Sequence, residues 1–236
     1  MVFGMGKSEK KVKCAVNGFG RIGRLVFRFA WEDPSLEIVH VNDLCSCESA
    51  AYLAKYDSVH GTWDKEVEQE ASDKFTVDGK VVTFSQEKDF TNIDFKSMGV
   101  EMVMECTGKF LKVKTLSPYF EKCGVKRVVV SAPVKEAGAL NVVLGCNHGL
   151  LSEETTLVTN ASCTTNCLGP VVKVIKENFG ITHGCITTVH NVTGTQVSHL
   201  ICVNTCVGKR RKEILGPITH CIPFLWINIL ISIDFG

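Results

Sequence analysis

The chain has 236 residues, of which 45% are hydrophobic and 22% are charged, and its 26 basic residues nearly balance 25 acidic ones. That length suits one large domain or two small ones, and so high a hydrophobic fraction excludes a disordered protein. A net charge of +1 gives no electrostatic reason to expect nucleic acid or a membrane surface as a partner.

Twelve cysteines are spread along the chain. Residues 1–13 are lysine-rich and have no apolar run that could serve as a signal peptide, so we expect a cytoplasmic protein with reduced thiols. No stretch reaches the roughly 18 uninterrupted apolar residues of a transmembrane helix. Most of the cysteines are therefore expected to be small buried hydrophobes, with one or two chemically active.

The first predicted elements form a βαβ unit. Residues 12–16 predict a short strand that runs into the glycine-rich segment 18–23. Residues 24–31 have the apolar spacing of a helix, and residues 36–41 predict a second strand. A strand, a glycine turn, a helix and a strand within about thirty residues are typical of a βαβ unit.

Strand and helix signals continue to alternate along the next 120 or so residues. The β-branched run 125–130 is typical of a parallel strand that is buried on both faces. The other predicted elements are a helix over 49–55, a hairpin over 74–85 around Asp78-Gly79, and strands over 100–106, 141–144 and 156–159. This alternation predicts a doubly wound α/β domain over residues 1–161.

The pattern changes at Ser162. Residues 166–179 predict a helix that Gly180 ends, and residues 185–192 predict a strand, which together indicate the start of a second domain over 162–196. Residues 197–236 contain eight isoleucines and no alanine, and their apolar run 221–233 has neither helical nor strand periodicity. We expect this tail not to continue the same domain.

The segment Gly18-Phe19-Gly20-Arg21-Ile22-Gly23 is a G-x-G-x-x-G motif placed between a strand and a helix. Its glycines permit a tight turn, close approach of a pyrophosphate and close packing of helix on strand. Asp43 follows Gly23 by twenty residues, where a carboxylate would bind the adenosine ribose and repel a 2′-phosphate. These features favour NAD over NADP; the alternative is a glycine turn in some other α/β fold.

Cys163 lies at the N-terminal end of the third predicted helix, the one before Gly180. There the helix dipole and free N–H groups favour a thiolate, and an imidazole partner would favour it further. His190, at the end of the strand Ile186–Val189, is the candidate partner. On residue types alone, a buried cysteine and a structural histidine are the commoner outcomes.

Two longer motifs favour the interpretation of Cys163 as a reactive thiol and His190 as its partner. Ala161-Ser162-Cys163-Thr164-Thr165-Asn166-Cys167-Leu168 resembles the active-site signature of the glyceraldehyde-3-phosphate dehydrogenase family, and Asn17–Arg24 resembles its cofactor loop. Further matches in the family's order are Tyr56–Gly61, Glu105–Gly108, Ser131–Pro133 and Thr188–His190. The resemblance covers roughly residues 12–196. It implies an α/β chain: an NAD-binding Rossmann domain followed by an incomplete α+β catalytic domain.

The resemblance also implies roles for individual residues. Cys163 would be the nucleophile and His190 the general base, and Ser162, Thr164 and Thr193 match positions near substrate or phosphate. Lys88 matches a variable position, beside which Asp89-Phe90 replaces the family's usual acid–proline pair. The implied cofactor-binding residues are Asn17, Gly18, Gly20, Arg21, Ile22, Gly23, Asp43, Lys88, Thr107 and Ser131.

The implied reaction is the NAD-dependent oxidation of glyceraldehyde 3-phosphate, with inorganic phosphate, to 1,3-bisphosphoglycerate in glycolysis. Intact family members are homotetramers. Because the second domain supplies much of that interface and is incomplete in this sequence, the expectation of a tetramer is weaker here. No metal is predicted, because the spacing of Cys202, Cys206, His220 and Cys221 fits no well-formed zinc motif.

Residues 197–236 depart from the family. We match none of them to its phosphate-binding threonine–glycine pair and arginine, its nicotinamide-contacting asparagine or its C-terminal helix. A retained intron or a frameshift at the Gln196 junction would explain the departure, and the transcript sequence tests it. The sequence therefore leaves two alternatives open, an impaired dehydrogenase and a non-catalytic NAD-binding remnant or faulty gene product.

Overall fold

The computed structural model describes residues 11–190, 202–205, 216–222 and 225–234. They belong to two compact units, the first ending at Asn141 and regaining residues 151–160, the second comprising 142–150 and the residues from Ala161 onward. Within the described ranges, no helix combines the length and the apolar character needed to cross a bilayer.

The first unit contains a nine-stranded, mostly parallel sheet. Its strands are β1 (Val12–Asn17), β2 (Leu36–Asn42), β5 (Val67–Ala71), β6 (Lys74–Val77), β7 (Lys80–Ser85), β8 (Met102–Glu105), β9 (Arg127–Val130), β10 (Leu140–Asn141) and β11 (Leu157–Thr159). A separate two-stranded ribbon pairs β3 (Tyr56–Asp57) with β4 (Gly61–Thr62). The sheet order is β10-β11-β9-β8-β1-β2-β7-β6-β5.

The strand order explains where a ligand can bind. Five parallel strands, β7-β2-β1-β8-β9, follow the order 3-2-1-4-5 of a doubly wound dinucleotide-binding sheet. The order reverses between β1 and β8, and such a reversal opens a crevice beyond the carboxyl ends of the strands. The predicted α/β class of this unit is confirmed.

The connections contain three helices, α1 (Arg21–Glu32), α2 (Cys47–Lys55) and α3 (Val113–Glu121), and two short 3₁₀ segments, Phe90–Asn92 and His148–Leu150. The predicted hairpin is present between β6 and β7. Its turn residues Asp78 (φ 47°) and Gly79 (φ 75°) are both left-handed, as a two-residue mirror-image turn requires.

Helix α3 lies in a segment for which the sequence predicted no element. Pro118 lies inside it, and Thr115 and Ser117 are poor helix formers. The helix is held by packing, since Leu116 and Tyr119 are fully buried beneath the sheet's β8–β9 side. Tertiary burial therefore overrides a weak local preference.

The predicted strand over 141–144 is shorter in the structure, where it ends at Asn141. The residues that follow turn back, because Val143 N–H donates to the Asn147 side chain at 2.7 Å and Cys146 N–H donates to the Val143 carbonyl. A local side-chain hydrogen bond has replaced the sheet ladder.

Arg28 joins α1 to the end of α2. Its guanidinium donates to the carbonyls of Ala54 (2.9 Å), Lys55 (3.3 Å) and Gly61 (3.3 Å), and only 9% of the residue is exposed. Burial lowers the pKa of this guanidinium from its usual value. A cation that satisfies the last carbonyls of a helix stabilises both the backbone and the helix dipole.

We therefore expect Arg28→Met to lower the free energy of unfolding by about 2 kcal/mol, because it removes the guanidinium donor from three carbonyls, of which that of Lys55 keeps the Trp63 N–H. Urea denaturation followed by circular dichroism measures the change. Lys114→Met, on the exposed surface of α3, is the matched control and should change stability by less than about 0.5 kcal/mol. Equal losses in the two variants would contradict the assigned role.

The second unit contains helix α4 (Cys163–Phe179), which starts three residues earlier than predicted and ends at Gly180 (φ 73°). A four-stranded antiparallel sheet follows, in the order β13-β12-β15-β14, from β12 (His183–His190), β13 (Cys202–Thr205), β14 (Gly216–Ile222) and β15 (Leu225–Asp234). The apolar run 221–233 lies largely in strand β15, although the run has no strand periodicity in its sequence. The predicted domain limits stay a prediction.

Candidate functional site

At two of its three glycines, the glycine-rich turn has no room for a Cβ atom. Gly18 has φ +91°, and a Cβ there would lie 2.5 Å from the Thr107 backbone nitrogen. A Cβ on Gly23 would lie 1.9 Å from the Gly18 carbonyl oxygen. Only glycine fits at either place, because the obstructing atoms are backbone. The turn is thereby packed against the end of β8 and the start of α1.

Asp43 holds this turn in place. Its carboxylate accepts a hydrogen bond from Phe19 N–H at 2.6 Å and another from Cys45 N–H at 3.0 Å. The Phe19 ring is buried and packs edge-on against Phe27 at 5.3 Å. The predicted acid therefore stands beside the glycine turn, and each carboxylate oxygen keeps acceptor capacity for a second donor.

A cleft of about 200 Å³ opens beyond the ends of β1, β2, β7 and β8. Six predicted cofactor-binding residues line it: Asn17, Gly18, Gly20, Asp43, Lys88 and Thr107. The other four lie beside this lining; Gly23 is buried beneath the turn, Arg21 and Ile22 are exposed on the first turn of α1, and Ser131 donates its N–H to the Glu105 carbonyl at 2.9 Å. Their cofactor contacts stay predictions.

Sequence reasoning missed six further lining residues, Asn42, Leu44, Glu87, Cys106, Lys109 and Phe110. All of them lie at or just after the carboxyl end of β2, β7 or β8. The signal that could have found them is the strand-end rule for doubly wound sheets. Reading the residues that follow each predicted strand would have named most of this wall.

The cleft fits an anionic dinucleotide. A Cβ on Gly20 would meet no atom within 4 Å, so the backbone there faces open space that a pyrophosphate can approach. Helix α1 begins directly after it, with no side-chain cap and no acidic residue in its first turn. The N–H groups and the dipole of its first turn favour a phosphate, and Lys88 and Lys109 of the lining offset the negative charges of Asp43 and Glu87.

A buried polar network lies under the cleft. The Glu105 carboxylate, 1% exposed, accepts hydrogen bonds from Asn17 Nδ2 (2.7 Å), the Tyr119 hydroxyl (2.7 Å), Thr107 N–H (2.8 Å) and the Thr107 hydroxyl. Burial raises the pKa of this carboxyl, and the four donors oppose that rise. Asn17 Oδ1 accepts in turn from Asn42 Nδ2 at 2.8 Å.

The network continues to the neighbouring strands. Asn42 Oδ1 accepts from the Ser85 hydroxyl (2.7 Å) and from Glu87 N–H (2.8 Å), and Ser85 lies 2.9 Å from His40 Nε2. Burial lowers the pKa of His40 to about 4, so its imidazole is neutral at physiological pH. Ends of four adjacent strands are thus joined by side chains.

Cys163 is the first residue of α4 and is half-buried. Ser162 caps the helix by accepting from Thr165 N–H at 3.1 Å, and Asn166 Nδ2 donates to the Ser162 carbonyl at 3.0 Å. The residue before the cap, Ala161, is buried with φ +50°, a left-handed conformation that turns the chain sharply into the helix. The thiol therefore stands at the positive end of a 17-residue helix.

The structure describes some of the remaining predicted site residues and leaves others outside the described ranges. Thr164 is half-buried in the first turn of α4, beside Ser162. His190 is the last residue of β12 and pairs in register with Ile227 of β15, but its side chain lies outside the described residues, as does Thr193. Cys167, one turn after Cys163, is 5% exposed, and burial raises the pKa of its thiol.

Comparisons with known proteins agree with this geometry. Residues 12–113 match the family description "Glyceraldehyde 3-phosphate dehydrogenase, NAD binding domain", and residues 162–212 match "Glyceraldehyde 3-phosphate dehydrogenase, C-terminal domain". The second match continues past Gln196, where the sequence analysis ended the resemblance.

Curated relatives carry the same name. The chain is 50% identical over 188 residues to glyceraldehyde-3-phosphate dehydrogenase 3 of Nostoc sp., covering 79% of this chain and 55% of that protein. It is 44% identical to the Geobacillus stearothermophilus enzyme (78% and 55% covered) and 45% identical to the "cytosolic" enzyme of Leishmania mexicana (78% and 55% covered). The chain thus spans about half the length of these relatives.

Proposed function

Because the chain belongs to the glyceraldehyde-3-phosphate dehydrogenase family, a family of NAD-dependent oxidoreductases, we propose that it binds NAD in the strand-end cleft and carries the family's thiol nucleophile as Cys163. The observation that carries the proposal is the open backbone at Gly20, at the start of an uncapped helix and beside Asp43. NAD is the cofactor of the domain that matches residues 12–113.

The proposed substrates are glyceraldehyde 3-phosphate and inorganic phosphate. The Cys163 thiolate attacks the aldehyde carbon, and the oxygen of the resulting thiohemiacetal takes up negative charge that a helix N-terminus stabilises. His190, protonated while it pairs with the thiolate, gives its proton to this oxygen and accepts it back as the carbonyl re-forms. When bound, NAD supplies the acceptor for the hydride that leaves this carbon. Phosphate then attacks the thioester, releases the Cys163 thiolate and forms an acyl phosphate.

We propose the two half-reactions to be unequal in this polypeptide. Among residues 197–236 we match none to the family's phosphate-binding arginine and threonine–glycine pair. Oxidation to the thioester depends on the described cleft and helix, whereas its phosphorolysis depends on that phosphate grip. The alternative, NAD binding without any chemistry, is favoured if no thioester forms. The "cytosolic" relative supports a cytoplasmic location, and no tetramer is proposed.

Rapid mixing of the purified chain with NAD, aldehyde and phosphate tests the proposal by NADH absorbance. We expect a burst of about one NADH per chain followed by a slow steady phase, because thioester formation precedes the phosphate step. Cys163→Ser should abolish the burst, and the control Cys146→Ser, a half-buried cysteine outside both motifs, should retain it.

Three results are informative against the proposal. A burst that survives in Cys163→Ser would exclude the assigned nucleophile. A fast steady state would refute the unequal half-reactions. NAD binding with no burst in the unmodified chain would support the non-catalytic alternative.

A further inference from the structure

Among the described residues of the network beneath the cleft, Glu105 has the one side chain that can only accept hydrogen bonds. It accepts from four donors on three segments, namely Asn17 at the end of β1, Tyr119 of α3, and the backbone and hydroxyl of Thr107. Thr107 lines the cleft, and its backbone nitrogen is the atom that a Cβ on Gly18 would strike. The position of Glu105 therefore sets the position of the wall against which the glycine turn rests.

The hydrogen-bond direction in this network is fixed at both ends. At one end the Glu105 carboxylate can only accept, and at the other end Glu87 N–H can only donate to Asn42 Oδ1 at 2.8 Å. Between them, Asn42 Nδ2 donates to Asn17 Oδ1, and Asn17 Nδ2 donates to Glu105. Reversing either amide would place two donors or two acceptors face to face.

The network is shielded and stiffened by aromatic rings. The Tyr119 ring stacks on Phe90 with centroids 3.7 Å apart and planes 9° apart, and Phe110 of the cleft meets Phe90 edge-on at 4.9 Å. Phe90 belongs to the Asp89-Phe90 pair that replaces the family's usual acid–proline pair. In this chain, the ring at that position stacks on the tyrosine whose hydroxyl donates to Glu105.

We propose that Glu105 is a positioning residue for the cofactor: its carboxylate fixes the amide of Asn17 and the backbone of Thr107, and through Asn42 the segment carrying Lys88, in the arrangement that receives the dinucleotide. The inference rests on the proposed binding of NAD in this cleft. Glu105 is not among the lining residues of the cleft, and it is buried beneath them. It acts by presenting the cleft in its binding geometry, so that no binding free energy is spent on ordering the four strand ends.

Glu105→Gln tests this idea with almost no change of shape. The amide has one oxygen, whereas two fixed N–H donors face the side chain, Thr107 N–H on one side and Asn17 Nδ2 on the other. In either orientation of the introduced amide, its NH₂ group faces one of these two N–H donors. We therefore expect the Kd for NAD to rise at least about tenfold. Isothermal titration of the purified 236-residue chain with NAD gives the Kd for the folded protein.

A charge-exchange variant supplies the rescue. In the double variant Asn17→Asp with Glu105→Gln, the new carboxylate can accept from the Gln amide, from Tyr119 and from Asn42, while the Gln oxygen accepts from Thr107. The double variant has the same net charge as the wild type, because Asn17→Asp adds the negative charge that Glu105→Gln removes. Because residue 17 also lines the cleft, we expect the double variant to bind NAD more tightly than Glu105→Gln alone, without reaching the wild-type Kd.

Two controls separate positioning from mere stability. Arg28→Met, which lowers stability at a site outside the cleft, should leave the Kd for NAD unchanged. Tyr119→Phe keeps the stack on Phe90 and removes one of four donors, so we expect a folded protein with a Kd raised about threefold. This second variant keeps the test decisive if Glu105→Gln does not fold.

The outcomes are distinguishable. No NAD binding by the unmodified chain would overturn the proposed function and the inference with it. NAD binding by the unmodified chain, with the same Kd in Glu105→Gln or in Tyr119→Phe, would overturn the inference alone. A double variant that binds no better than the worse single variant would also overturn it, since the proposed acceptor would then not be what matters.

Discussion

Gly20→Ala should abolish most NAD binding while the protein stays folded, and Gly23→Ala should unfold the same loop. The methyl group at residue 20 would enter the open space that a pyrophosphate occupies, with no protein atom within 4 Å to strain. At residue 23 it would lie 1.9 Å from the Gly18 carbonyl oxygen, so the backbone must move. The two glycines therefore separate ligand contact from chain packing.

The expected magnitudes differ accordingly. Gly20→Ala should cost about 1 kcal/mol of stability or less, as a change at a helix N-cap, and raise the Kd for NAD at least about tenfold. Gly23→Ala should cost about 3 kcal/mol, at the upper end of overpacking effects. Denaturant titration and calorimetric titration with NAD measure both. A stable, tightly binding Gly23→Ala variant would show that the turn is built differently.

The second large expected effect concerns the thiols. Burial raises the pKa of Cys14 to about 12 and of Cys45 to about 11, and burial together with the Glu105 charge raises that of Cys106 to about 12. At pH 7.5 a thiol of pKa about 12 is thiolate in only about 3 molecules per 100,000. Cys163, by contrast, is only half-buried, as the first residue of α4.

Iodoacetamide at pH 7.5, followed by peptide mass spectrometry, should therefore modify Cys163 at least about 100 times faster than Cys14, Cys45 or Cys106. Because only the thiolate reacts, raising the pH toward a raised pKa increases the thiolate fraction. Labelling of Cys45 should thus rise about tenfold per pH unit between 7.5 and 9.5. Labelling of Cys106 at the rate of Cys163 would contradict the assignment, and iodoacetamide-treated chain should still bind NAD.

Local signals were sufficient to predict the βαβ unit, the glycine turn and Asp43. Their information lies in neighbouring residues, in the alternation of strand and helix and in glycines that no other residue can replace. The Asp78-Gly79 turn was readable for the same reason. Cys163 at a helix start was visible too, although only the longer motif around it favoured chemistry over burial.

Features that depend on distant residues could not be predicted. Helix α3 forms because Leu116 and Tyr119 find a buried surface, which no local propensity encodes. The contact between Asn17 and Glu105 joins residues 88 positions apart. Lys88 entered the predicted site through resemblance alone, and its place in the cleft follows from the end of β7 lying beside β2.

The central place of β1 also bears on how the protein is made. Its partner on one side, β2, comes soon after β1 in the sequence, with only helix α1 between them. Its partner on the other side, β8, starts some 85 residues after β1 ends, so it is synthesised much later. Pairings of such long sequence separation form late, because loop closure precedes any contact that rewards it. We therefore expect one wall of the cleft to form early and the other late, with affinity for the dinucleotide arising only when β8 joins the sheet.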